Sequence, residues 1–149
     1  MSLQADGYIF AVLNADTTVS TITAGRIFNT DRSEADETAD RIPYIIVRLD
    51  GGQNVQESKD DEMESDTDRA QVSVLCVAAT RSALASLTAA VRTAIRGGRG
   101  SGIDESTYGF SLVDYTLSYG PLQYDFERPC FYQALNYDME TENIPENHD

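Results

Sequence analysis

Apolar and polar residues alternate along two stretches of the chain with the two-residue period of a half-buried strand. In Pro43 to Leu49, the positions Ile45, Val47 and Leu49 form one apolar face and Tyr44 and Arg48 lie on the other. In Ala70 to Ala78, Val72, Val74 and Cys76 do the same, while Leu75 and Val77 make the far end apolar on both faces. That end is expected to be covered on both sides, by a helix or by another subunit. From Ser82 to Ile95 the period changes: Leu84, Leu87, Val91 and Ile95 fall within roughly 80° of a helical circumference, and Thr80 is placed to cap the helix. Arg81, Arg92 and Arg96 share an adjacent arc of that helix.

The flanks are read the same way. Leu3, Ile9, Phe10 and Leu13 predict a short amphipathic helix over 3–14, weakened by Gly7. The Thr and Val run from Thr17 to Thr23 leads to Gly25-Arg26-Ile27-Phe28, which suggests a brief strand before a polar connection from Asn29 to Asp40. Gly97-Gly98 ends the long helix. Two more strands follow, Phe110 to Tyr119 with Val113, Tyr115, Leu117 and Tyr119 on one face, and Pro129 to Met139 with Phe131, Leu135, Tyr137 and Met139 alternating, broken apart by Gly120-Pro121. Together these elements predict an α+β fold: one domain over 1–140, a mostly antiparallel sheet of four to five strands packed against two main helices, with 141–149 as a disordered acidic tail.

Charge changes the picture at one place above all. The segment 50–68 carries Asp50, Glu57, Asp60, Asp61, Glu62, Glu64, Asp66 and Asp68 against Lys59 alone. Such a segment is left in water or presented to a partner. The whole chain has a formal charge of -14, which excludes recognition of nucleic acid through its phosphates, because that needs clustered Lys and Arg. Against that background the three arginines of the helix stand out. They either complement the helix dipole and aid solubility, or meet carboxylates of a neighbour, for which the planar guanidinium is well suited.

Little in the sequence points to chemistry. The sole histidine, His148, lies in the acidic tail, so a nucleophile–histidine pair has no placed base. Cys76 and Cys130 lack metal-knuckle or redox spacing and read as buried free thiols in a reducing cytoplasm. The alternating acids from Asp60 to Asp68 resemble a calcium loop only loosely, since the glycine that makes its sharp turn and its closing glutamate are both missing. No signal peptide or membrane span is evident, and no phosphate-binding glycine loop. No catalysis, cofactor or dedicated metal is expected.

The order of elements carries a resemblance. Gly25-Arg26-Ile27-Phe28, then Pro43-Tyr44-Ile45-Ile46-Val47, then Gln71-Val72-Ser73-Val74-Leu75-Cys76 running into Leu84, Leu87, Val91 and Ile95, is similar to the tail-completion or tail-terminator proteins of long-tailed bacteriophages. The resemblance implies a structural virion assembly protein: a homo-oligomeric ring, typically a hexamer, that ends the tail tube and joins it to the head connector, while DNA passes through the channel without specific binding. It implies a place in the tail-neck region of the virion, after assembly in the host cytoplasm. The eight acids of 50–68 and Arg81, Arg92 and Arg96 are then the candidate oligomer or channel surface. An acidic channel wall would repel DNA phosphates. The competing class is an acidic DNA mimic that inhibits a host DNA-binding enzyme; against it, the carboxylates crowd into connections and termini, and the arginine stripe interrupts the field.

Overall fold

A computed structural model describes residues 4–29, 42–54, 67–96 and 103–143. Its elements run α1 (Ala5–Ala15), α2 (Thr17–Thr23), β1 (Ile27–Asn29), β2 (Tyr44–Asn54), β3 (Thr67–Ala78), α3 (Arg81–Arg96), a 3-10 turn (Glu105–Tyr108), β4 (Phe110–Tyr119), β5 (Gln123–Asp125) and β6 (Cys130–Asn143). The six strands form one sheet in the order β1-β2-β3-β6-β4, with β5 also paired to β6. Only β1 and β2 are parallel; the other pairs are antiparallel. The fold is α+β as expected, with one more strand and one more helix than the sequence pattern predicted.

The two-residue period of the strands selects the face that the helices cover. Ile45 and Val47 of β2, Val72, Val74 and Cys76 of β3, and Leu135, Tyr137 and Met139 of β6 are all buried and stand on the same side of the sheet. Leu84, Leu87, Val91 and Ile95 of α3 close over them, and Tyr8, Ile9, Val12 and Leu13 of α1 complete the core. Thr80 caps α3 as its position suggested, its hydroxyl oxygen accepting from the Ala83 N–H at 3.0 Å. Gly7, a weak point in the pattern of α1, lies where an added Cβ would sit 3.4 Å from the Tyr108 ring. Tyr8 packs edge-on against Tyr108 and Phe110, so the small residue lets the helix approach this aromatic cluster.

Several elements differ from the sequence reading. Thr17–Thr23 is helical despite its β-branched residues: Asp16 accepts from the Val19 N–H at 3.0 Å, the Thr23 hydroxyl donates to the Val19 carbonyl at 2.9 Å, and Val19 and Thr23 are buried. Ala24 and Gly25, at φ 53° and 79°, then turn the chain into β1. In β4 the predicted apolar face slips. The register with β6 shifts between Leu112 and Asp114, so Phe110 and Leu112 point into the core and Val113 is 54% exposed. A bulge adds one residue and moves everything before it to the opposite parity. β6 runs on to Asn143 with Thr141 buried, where a tail was expected from 141; residues 144–149 lie outside the described residues. Among the described residues no helix is long and apolar enough to cross a membrane.

β2 extends well past its apolar run. Gly51, at φ 145°, lies at the register shift between Leu49 and Gly51, and β2 resumes pairing with β3 through Gly52 and Gln53. A Cβ on Gly52 would lie 2.6 Å from the Arg69 carbonyl oxygen. The variant Gly52→Ala must push two paired backbones apart, at a cost of about 1–3 kcal/mol. Its urea midpoint is expected to fall accordingly; an unchanged midpoint would show that the pairing at this end of β2 is loose.

Cys76 and Cys130 are free and buried, as expected. Burial pushes the Cys76 thiol up from 9.0 to about 12. The unfolded chain therefore gives up this proton first. The stabilisation is whole below pH 9.0 and is lost as pH rises toward 12, at about 1.4 kcal/mol per pH unit. The urea midpoint should fall more steeply between pH 9 and 11 than that of Cys76→Ala, and disulfide reagents should label Cys76 only in urea. Parallel slopes and rapid native labelling would contradict the buried thiol.

Candidate interaction surface

Of the eight acids in 50–68, the structure describes two, and neither belongs to a loop. Asp50 lies in β2 and is exposed. Asp68 lies in β3, paired with Thr141 of β6, and is only 4% exposed, which corrects its expected place in a solvated segment. The Thr141 hydroxyl approaches the Asp68 carbonyl oxygen at 3.4 Å. A threonine and an aspartate can sit inside here because both belong to paired strands at the end of the sheet. Glu57, Asp60, Asp61, Glu62, Glu64 and Asp66 lie outside the described residues, as do the calcium-like pattern they form and His148.

The arginines fall where the helical period put them. Arg81, Arg92 and Arg96 are exposed on α3, beside its buried stripe. Arg92 lies over the Tyr119 ring of β4, 5.9 Å from its centre. Arg96 helps to line a cleft of ≈ 270 Å³ with Tyr8, Ile95, Leu112, Val113 and Tyr115. Arg92 and Arg96 thus border the β4 edge of the sheet. Beneath it, Tyr137 is buried with its hydroxyl unpaired among the described residues. Burial chiefly pushes this phenol up, Tyr115 and Cys76 adding and Arg92 and Arg96 opposing, so it stays protonated. It is a packing residue with an orphaned donor, not an acid–base group.

The same edge carries an aromatic cluster that the strand pattern did not single out. The β5–β6 turn is fixed by the Asp125 carboxylate, which accepts from the N–H groups of Glu127 and Arg128 at 3.0 and 3.3 Å. The break before β5 is pinned by Gly120, whose N–H donates to the Ala134 carbonyl and whose own carbonyl accepts from Gln133 Nε2. This hairpin holds Phe126 against Tyr124, and Tyr124 against Phe131, with ring centres 4.9 and 4.8 Å apart. Phe126 is nonetheless 86% exposed, and Tyr119, nearer the arginines, is 61% exposed. A signal existed in the sequence: Gly120-Pro121 and Pro129 bracket an apolar-aromatic stretch too short to be a core strand.

The outer face of the sheet, away from the helices, divides into two ends. At one end Tyr44, Ile46, Leu75, Val77, Tyr132 and Ala134 are buried or half-buried, in line with the apolar end expected for β3. At the other, Asp114 of β4, Glu140 of β6 and Arg69 of β3 share a rung, followed by Thr116, Asp138 and Gln71. These residues border two shallow depressions of ≈ 170 and ≈ 250 Å³ with polar walls. Among the described residues no group of three or more His, Cys, Asp or Glu is placed to hold a metal. Among the described residues the surface offers a cationic and aromatic border on the helix side and, on the outer side, three carboxylates around Arg69.

Comparison with known proteins supplies a context for these surfaces. A search of solved structures finds a chain of the "Virion of native gene transfer agent (GTA) particle" with a TM-score of 0.56 and 15% sequence identity, covering 95% of this chain and 96% of that one. At that identity the likeness is one of fold. No curated protein matches. The family described as tail completion protein gp17 matches residues 7–124, from within α1 to β5. The chain therefore belongs to the tail completion protein gp17 family.

Proposed function

We propose that this protein is a structural component of a phage-like virion that assembles as a ring, ends the tail tube and joins it to the head connector. The observation that carries the reading is the family match over residues 7–124, which takes in most of the core, apart from the contribution of β6, and the arginine-bearing helix. The surfaces agree with it. The described residues offer exposed aromatics, arginines and carboxylates, the groups from which protein–protein contacts are made, rather than an enclosed pocket with converging polar groups. The role is non-enzymatic. The ring is a homo-oligomer, with a hexamer as its expected size, and DNA crosses its channel without specific contacts.

Within that reading, the acids between β2 and β3 line or border the channel. A chain of charge -14 repeated around a ring sets up a field that keeps DNA phosphates moving rather than bound. The test of the ring is light scattering and negative-stain imaging of the purified protein, alone and with tail-tube protein, over a range of salt. Rings are the expected result. A monomer under every condition, tube included, would overturn the reading, and capture of a host nuclease by such a monomer would favour the DNA mimic. Neutralising Asp60, Asp61, Glu62, Glu64 and Asp66 is expected to leave rings intact while lowering virion infectivity; unchanged infectivity would remove the channel role.

A further inference from the structure

Arg96 and the carboxylates of the outer face lie on opposite sides of one sheet and near the same end of it, with Arg92 one turn of α3 further along and Arg81 at the far end. α3 starts three residues after Ala78, whose cross-strand partner is Phe131, and runs back until Arg92 reaches Tyr119 and Arg96 reaches Tyr115. The helix-side border of β4 therefore sets exposed Tyr119 beside Arg92, and half-buried Leu117 and Tyr115 lead from there toward Arg96. On the outer side, Asp114, Asp138 and Glu140 follow one another across β4 and β6, with Arg69 of β3 beside Glu140, so that three carboxylates stand around one guanidinium and the patch stays negative. The two patches have complementary charge, and no two-fold self-pairing would bring either one against its opposite unless both lay in the same contact.

Arg92 and Arg96 are also an unfavourable pair in isolation. Like charges four residues apart on a helix repel, yet this chain has only 11 Lys and Arg against 25 Asp and Glu and places three of the 11 on one stripe. The nearby rings add what ionic contacts lack: Tyr119 and Phe126 give apolar area that orders easily, and arginine with aromatic residues is the composition of contact centres. β4 itself is the edge of the sheet, ten residues long and unprotected by a further strand among the described residues. A surface of this kind calls for a covering partner, and a second copy of this acidic chain supplies carboxylates wherever it is met.

We infer, on the basis of the self-assembling reading above, that the α3–β4 border of one copy, through Arg92, Arg96 and Tyr119, docks on the acidic outer face of the next, through Asp138 and Glu140. The contact is heterologous: each copy uses one patch for the neighbour ahead and the other for the neighbour behind. Such a contact repeats, and closes into a ring when its rotation allows. Both patches lie on rigid elements, a capped helix and paired strands, so their relative angle is fixed by the fold and with it the curvature of the assembly.

The contact is tested by reversing charge on each side. Arg92→Glu with Arg96→Glu, and separately Asp138→Arg with Glu140→Arg, should each raise the concentration needed for assembly by at least about tenfold. Circular dichroism and urea midpoints check that each variant still folds. Mixing the two variants at equal amounts should restore assembly, because each keeps one native patch and the reversed patches attract each other. Reversed variants that assemble like the native chain would overturn this contact and leave the ring reading standing. Loss of tail-tube binding with self-assembly intact would overturn it too, and would assign the stripe to the tube protein. Failure of the native chain to self-associate under any condition would overturn both.

Discussion

The pairing of β3 with β6 is the constraint on which the rest of the molecule depends. Twelve residue pairs run unbroken from Thr67↔Glu142 to Ala78↔Phe131. Every other strand reaches the sheet through one of these two: β2 and then β1 through β3, and β4 and β5 through β6. Side chains alternate faces, so a slip of one residue would turn Val72, Val74 and Cys76 out and Ser73 and Gln71 into the core. The register is held where the penalty is largest, by Val74 against Leu135 and Val72 against Tyr137, with Leu84, Leu87 and Val91 closing over this side of the sheet. It is also held at the far end by Asp68 and Thr141, polar residues that are buried because the pairing carries them inside.

That dependence explains what the sequence made legible. α3 follows from its period almost residue for residue, and so does β3 from Ala70 onward, since a buried face and a cap are both written locally; Thr67 and Asp68, read as part of the acidic connection, and Arg69 extend β3. The two faces of β2 were legible too, but not its length, because residues 50–54 are polar and are held by β3 rather than by burial. α2 was hidden for the converse reason: Thr17, Thr18, Val19, Thr21, Ile22 and Thr23 favour strand locally, and the cap at Asp16 with the docking of Val19 outweighs them. The bulge at Val113 did leave a mark that a single-parity reading passed over: the apolar positions change parity there, from Phe110 and Leu112 to Tyr115, Leu117 and Tyr119.

Of the candidate surface, the arginines were legible because one helix carries all three at helical spacing. The carboxylates that face them across the molecule were not. Asp114, Asp138 and Glu140 are far apart in sequence or hidden in strands read for their apolar side, and only the pairing of β4 with β6 brings them together. The crowded acids before β3 drew attention by density, yet the two that the structure describes are strand residues, one exposed and one buried. Charge density along a chain marks a segment; charge complementarity is a property of the folded surface and appears only with the topology.

The charge balance also limits how copies of this chain can meet. Each carries -14, so at distances beyond the screening length two copies repel whatever their orientation. Attraction exists only where a cationic stripe lies directly against carboxylates, at separations where local charges outweigh the net charge. Salt therefore acts in two directions. It lowers the long-range barrier to approach, with a Debye length near 10 Å at 0.1 M, and it weakens the exposed ion pairs once contact is made. The apolar part of the border, Tyr119 and Phe126, is insensitive to the second effect and is strengthened by strongly excluded salts. A contact built from both kinds of group stays closed over a wider range of ionic strength than either kind alone. In the ring proposed above, that combination would keep copies apart while they are made and hold them together once assembled.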